Sequence, residues 1–202
     1  YLGSILEKNQ FDTFYHEHPR TYSLSSFLSI ANKLNRKITK VSFPYRYGGN
    51  IRVFIGSKSC SDFVNKKFLK DILNREIDFF NQFNKLSIFI QSWKISKLKE
   101  INNIIKKTNS NLVAKAYPGR AAILINILGL NQDLLECIYE KPGSKKIGHY
   151  VPGTQIPILS DKNLFKKIKE IPVILNLAWH IPNEIEKYLR EKGFNGEIIN
   201  II

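Results

Sequence analysis

Methionine is missing from all 202 residues, position 1 included, which points to a chain cut out of something longer. Cysteine occurs only as Cys60 and Cys137, too few for a disulfide framework or a four-ligand zinc set. A reducing, cytoplasmic setting is the expectation. No apolar run approaches the roughly 20 residues a membrane helix requires, and residues 1–10 lack the basic-then-apolar layout of a secretory signal. Acidic residues are also scarce, 17 against 31 Lys and Arg, leaving a formal charge of +14. Such a charge invites a nucleic-acid reading, because clustered cations release counterions from phosphate backbones. Arginine, however, is the residue that reads bases and phosphates in a fixed geometry, and seven arginines stand against 24 lysines. No helix-turn-helix, aromatic RNA platform or arginine stripe accompanies them. The lysines read as solvated helix surface, and no nucleic-acid partner is expected.

The length suffices for one large or two small domains. An aromatic, histidine-rich stretch comes first, Gln10-Phe11-Asp12-Thr13-Phe14-Tyr15-His16-Glu17-His18. Ser23 then caps an amphipathic helix marked by Leu24, Phe27, Leu28, Ala31 and Leu34. Residues 37–43 and 50–55 are β-rich and separated by Pro44 and Gly48-Gly49, which predicts two antiparallel strands. Helical spacing dominates residues 61–108, except for the short apolar run 86–90, which fits a strand or a buried helix equally. Beyond Asn109, apolar runs at 112–117, 134–140, 173–177 and 197–202 alternate with helical segments at 121–128 and 183–192. That alternation predicts an α/β, Rossmann-like domain with a mainly parallel sheet. Pro142-Gly143, Gly148, Pro152-Gly153 and Pro157 mark a long ordered loop within it. The expected division is 1–57, a helical connection 58–108, and a Rossmann-like domain 109–202.

Tyr15-His16-Glu17-His18 packs a phenol, two imidazoles and a carboxylate into four positions. In an extended chain Tyr15 and Glu17 project to one side, His16 and His18 to the other. Two imidazoles at i and i+2 can share a metal ion, with His149 or His180 as a third ligand, but structural or partly exposed imidazoles account for the spacing as well, and no metal is assigned to this chain. Proton transfer is the other reading. Histidine titrates near pH 6.5, so its neutral form can take a moderately acidic C–H proton while a carboxylate supports the imidazolium and a phenol hydrogen-bonds a developing enolate. No serine or cysteine sits in a nucleophile elbow. Tyr117-Pro118-Gly119-Arg120 lies where a predicted strand meets a helix. It suits either a phosphate at a helix N-terminus, paired with Arg120, or an ordinary tight turn. The segment Gly148-His149-Tyr150-Val151-Pro152-Gly153-Thr154-Gln155-Ile156-Pro157 either contacts a ligand or rigidifies a crossing loop.

Residues 10–18, followed by Tyr22-Ser23-Leu24 and Gly48-Gly49-Asn50-Ile51-Arg52-Val53, resemble the end of the catalytic domain in S-adenosylmethionine-dependent sugar C-methyltransferases. The family text runs roughly FDxxYHEH, YSL, HGGSLRV. Tyr47 stands where the family usually has histidine, and Asn50 where it has serine. The second half is similar to the family's C-terminal domain at Ala116-Tyr117, Leu124-Ile125-Asn126, Gly148 through Pro157, and Leu177-Ala178-Trp179-His180, with a shorter turn after Tyr117.

The resemblance implies the tail of a class I methyltransferase domain followed by a Rossmann-like domain, hence roughly the C-terminal half of an enzyme, inactive alone. It implies methyl transfer from S-adenosylmethionine to a carbon beside the keto group of a nucleotide-linked deoxysugar. The cofactor's glycine-rich loop and the zinc-binding region of the family would lie outside this chain. Carried over residue by residue, His18 is the base, Glu17 its support, and Tyr15 the hydrogen-bond donor to the sugar or its enolate oxygen. Expected substrate contacts are Arg52, Tyr117, Gly119, Arg120, His149, Tyr150, Thr154 and His180. The competing reading is a non-catalytic nucleotide or nucleotide-sugar binding domain.

Overall fold

The computed structural model describes residues 1–44, 49–57 and 65–202. Tyr47, Gly48, Cys60 and Ser61 of the sequence reading lie outside them. Two units are resolved, 1–90 and 91–202.

In the first unit, α1 (Leu2–Glu7) is followed by a 3-10 turn (Phe11–Thr13) and α2 (Leu24–Lys33). Ser23 caps α2 as expected: its hydroxyl accepts the Ser26 amide at 3.1 Å, and Ser26 Oγ accepts the Ser23 amide at 3.3 Å. The same helix end is capped a second time, from a distance. Glu76 of α3 (Lys66–Ile77) accepts the amides of Leu24 and Ser25 at 2.6 and 2.9 Å, placing an anion against the positive end of the helix. Strands β1 (Lys37–Ser42) and β2 (Arg52–Gly56) pair antiparallel, Lys37 opposite Gly56 and Ser42 opposite Arg52. Leu24, Ala31, Ile38 and Ile72 form the buried centre, with Phe27, Val41, Val53 and Leu69 packed around it.

Helix α4 (Phe79–Thr108) includes residues 86–90, so the ambiguous run is helical. Leu86, Trp93 and Ile101 are buried at spacings of seven and eight, one face of a helix, and no proline or glycine interrupts the stretch.

The second unit carries β3 (Leu112–Lys115), α5 (Ala121–Leu128), β4 (Leu135–Glu140), β5 (Ile158–Ser160), α6 (Asp161–Lys166), β6 (Val173–Asn176), α7 (Pro182–Glu191) and β7 (Glu197–Asn200). The five strands pair in parallel in the order β5-β4-β3-β6-β7. This is the Rossmann-like sheet that the alternation of strands and helices predicted. Every residue of β3 and β6 is buried, as a sheet covered on both faces requires. Two short elements, β5 and α6, directly follow Pro157 and were not foreseen. Trp93 Nε1 donates to the Ile201 carbonyl at 2.9 Å and Lys97 Nζ to that of Asn200 at 2.8 Å, fixing α4 beside the chain end within this unit.

Chain order fixes where a ligand can enter the sheet. From β3 the chain steps outward to β4 and β5, then returns to lay β6 on the other side of β3. The loops leaving β3 and β6 therefore diverge, which makes the carboxyl ends of these strands the place where such a sheet takes a ligand.

Candidate active site

The extended reading of residues 15–18 fails. The His18 amide donates to the Tyr15 carbonyl at 2.8 Å, closing a turn. An extended chain would set Tyr15 and His18 on opposite sides, but the turn brings their rings to 4.6 Å between centroids, tilted by 57°. Tyr15 Oη donates to Glu17 Oε2 at 2.9 Å. Phenol, carboxylate and imidazole thus converge.

His18 Nδ1 lies 3.1 Å from the Thr13 carbonyl oxygen. A carbonyl has no proton to give, so the neutral ring carries its proton on Nδ1 and its lone pair on Nε2. An Nε2 lone pair beside a phenol–carboxylate pair is the equipment for taking a proton from carbon and holding the resulting charge. His16 is 84% exposed, its ring edge to face with Tyr15 at 5.6 Å between centroids and its Nε2 4.0 Å from Glu17 Oε1. Among the described residues no group of three His, Cys, Asp or Glu side chains gathers as a metal site. A cavity of about 700 Å³ in this unit, lined by Tyr1, Phe43, Phe68, Phe79 and Phe89 among others, does not include the turn. The convergent polar groups of the turn lie on the surface, apart from that cavity.

In the second unit the sheet crevice gathers a second set. Ala116 leaves β3 with φ +65°, a left-handed backbone that alanine rarely adopts. The Tyr117 amide beyond it donates to the Glu140 carboxylate. Tyr117 is buried and its hydroxyl pushed up to about 12 by that burial. Ala121 donates its amide to the Pro118 carbonyl at 2.8 Å, closing the turn into α5. Arg120 does not cap that helix; its guanidinium lies 5.2 Å over the Trp179 ring on the loop after β6. His180 meets Trp179 edge to face at 6.2 Å. Arg120 and His180 therefore meet around Trp179, while Tyr117 and Gly119 lie on the loop that leads from β3 to Arg120.

Residues 148–158 fold as a small hairpin. The Val151 amide donates to Ile156 at 3.0 Å, and the Ile158 amide to His149 at 2.9 Å. At its tip, Thr154 Oγ1 donates to the Val151 carbonyl at 3.0 Å and accepts the Ile156 amide at 3.1 Å, so this hydroxyl shapes the turn. Asn126 Nδ2 holds the Pro152 carbonyl at 3.1 Å. His149 and Tyr150 are exposed on the hairpin. Lys146 links it to the crevice, donating to the Tyr117 carbonyl and lying 5.4 Å over the Tyr117 ring. Arg52 is exposed on β2 in the first unit.

Some polar residues escaped the sequence reading. Asn176, fully buried at the end of β6, accepts the Ala178 amide at 2.9 Å and so aims the Trp179 loop. Lys115 is buried inside a strand, a charge in an otherwise apolar run, which was the available signal. Glu76 offered none.

The five-stranded parallel sheet belongs to a known class of domain. Residues 45–201 match the C-methyltransferase C-terminal domain, and the chain belongs to that family. It is also similar to the C-methyltransferase NovU of Streptomyces niveus, 23% identical over 200 residues that cover 96% of this chain and 46% of that protein. The chain thus spans about half the length of that curated relative.

Proposed function

We propose that this chain is the C-terminal portion of an S-adenosylmethionine-dependent C-methyltransferase, and that it deprotonates a carbon next to the keto group of a nucleotide-linked deoxysugar. The convergence of Tyr15, Glu17 and His18 in one turn carries this reading. His18 Nε2 takes the C–H proton, Glu17 balances the imidazolium, and Tyr15 donates to the enolate oxygen. Glu17 and the enolate compete for the single phenolic proton, so Tyr15 turns from Glu17 to the substrate as charge develops there. The described residues of the first unit do not fit S-adenosylmethionine: they form a two-stranded antiparallel ribbon without the parallel strand and glycine turn such a cofactor lies against. No step here runs through it. Cofactor binding belongs to sequence beyond this chain, as does any zinc.

The crevice of the second unit suits the nucleotide diphosphate. Arg120 provides positive charge at the start of α5, and Trp179 offers a ring face to a base. His149 and Tyr150 on the hairpin, His180 beside Trp179, and Arg52 in the first unit are the further proposed contacts.

The test uses a catalytically complete protein containing this chain, with exchange of the sugar's acidic C–H proton followed in deuterated water. His18→Gln is expected to slow that exchange by about 10²–10⁴-fold. Exchange at the wild-type rate removes His18 as the base. A second reading, a nucleotide-sugar binding domain without catalysis, draws on the crevice alone. It predicts that a thymidine diphosphate sugar binds and that no exchange occurs even in the complete protein.

A further inference from the structure

The ring of His18 is exposed, yet one hydrogen bond selects its tautomer, and the acceptor of that bond is a main-chain atom at the end of a three-residue 3-10 turn. So short a helical turn has little stability of its own, and the direction of the Thr13 carbonyl depends on what anchors the turn. The turn's backbone bonds are local, Thr13 to Gln10 at 3.0 Å and Phe14 to Phe11 at 3.2 Å. Gln10 and Asp12 are buried at 4% and 0% exposure, and Phe11 supplies a long-range anchor. It is 3% exposed and packs edge to face on Phe89 of α4, centroids 6.3 Å apart and planes at 60°.

We infer that Phe89, a residue remote in sequence from the acid–base turn, is a positioning residue for His18: through Phe11 it fixes the Thr13 carbonyl that keeps the His18 lone pair on Nε2. Its catalytic meaning rests on the proton-abstraction reading above; its structural content does not. Without that carbonyl a solvated imidazole favours the opposite tautomer, with the proton on Nε2, and the base would present an N–H to the carbon acid. Nothing touching substrate would change, but the fraction of competent base would fall.

The ring nitrogens of His18 report this directly. In the ¹⁵N-labelled full chain, at a pH where the imidazole is neutral, long-range proton–nitrogen correlation is expected to show Nδ1 protonated in His18 and the ordinary solvent preference in exposed His16. In Phe89→Ala the His18 ratio is expected to fall by roughly two- to tenfold, the span an aromatic pair's stabilisation covers, with His16 and His149 unmoved. Phe89→Tyr, which keeps the ring edge, should restore it. Phe89 also lines the 700 Å³ cavity, so its truncation widens existing space. If Phe89→Ala nevertheless fails to fold, Phe89→Leu carries the same two outcomes. A wild-type His18 protonated on Nε2, or a ratio unchanged in the folded variant, overturns the inference. The expected tautomers together with wild-type proton exchange in His18→Gln would leave it standing and remove the base assignment instead.

Discussion

Lys115 Nζ lies 3.0 Å from Asp161 Oδ2 with the two side chains 1% and 0% exposed. Tyr188 donates to the same carboxylate oxygen at 2.7 Å, and Lys115 reaches toward the Tyr139 carbonyl at 3.4 Å. Among the described residues none donates to Asp161 Oδ1. Burial pulls the Lys115 pKa down, with Asp161 opposing the shift. The pair ties the end of β3 to the start of α6 across 46 positions.

Removing one partner should cost far more than removing both. Lys115→Met strands a buried carboxylate and is expected to lower stability by about 3–5 kcal/mol, whereas Lys115→Met with Asp161→Leu should recover most of that. Urea unfolding of the three proteins measures it; equal losses in the single and double variants would contradict the expectation.

Glu76→Gln removes the charge and leaves one carbonyl oxygen for the two α2 amides, its NH2 facing the other N–H. A loss of about 1 kcal/mol is expected, against about 1–3 kcal/mol for Glu76→Ala, which leaves the Leu24 and Ser25 amides without their acceptor. Thermal denaturation, read beside a neutral surface control, ranks the two.

Gly153→Ala meets two obstacles. Its φ of +80° disfavours any side chain, and an added Cβ would sit 2.8 Å from Asn126 Oδ1. A loss of about 1–3 kcal/mol is expected. Asn126→Ala in the same chain should return only the steric part, because the backbone angle remains.

Alkaline stability follows the buried phenols. Tyr117 titrates near 10 when unfolded and at about 12 when folded, so its contribution is complete below pH 10 and lost as pH rises through 12. Tyr1, Tyr139 and Tyr188 are raised in the same direction, chiefly by burial. Lys115 acts oppositely: the unfolded lysine holds its proton more tightly, so this group adds stability as pH climbs toward its unfolded value. Tyr117→Phe should flatten the loss between pH 10 and 12 by ~1–2 kcal/mol in denaturant titrations across that range.

How far the sequence could be read depends on the range of each interaction. Ser23 announced α2 because a cap is local, and the alternation of apolar runs with helical segments announced the parallel sheet. Residues 86–90 stayed ambiguous because five apolar residues fit either period, and the structure resolved them only through Leu86, Trp93 and Ile101 sharing a helix face. The short β5 was hidden because three residues carry no period. At the site, the types Tyr15, Glu17 and His18 were legible, but an extended chain misplaced them, since the closing bond from His18 to the Tyr15 carbonyl has no signature in side-chain chemistry. Glu76 capping a helix 52 residues earlier, and Asp161 facing Lys115, depend on tertiary structure alone.

Tyr15 to His18 are four consecutive residues, and the carbonyl that sets the His18 tautomer lies only five positions away. The turn that carries this carbonyl is nonetheless anchored by Phe11 on Phe89, about 80 positions along the chain, so its geometry is complete only after α4 has closed that loop. The arrangement of the four residues is thus a property of the folded first unit and would not survive excision as a short peptide.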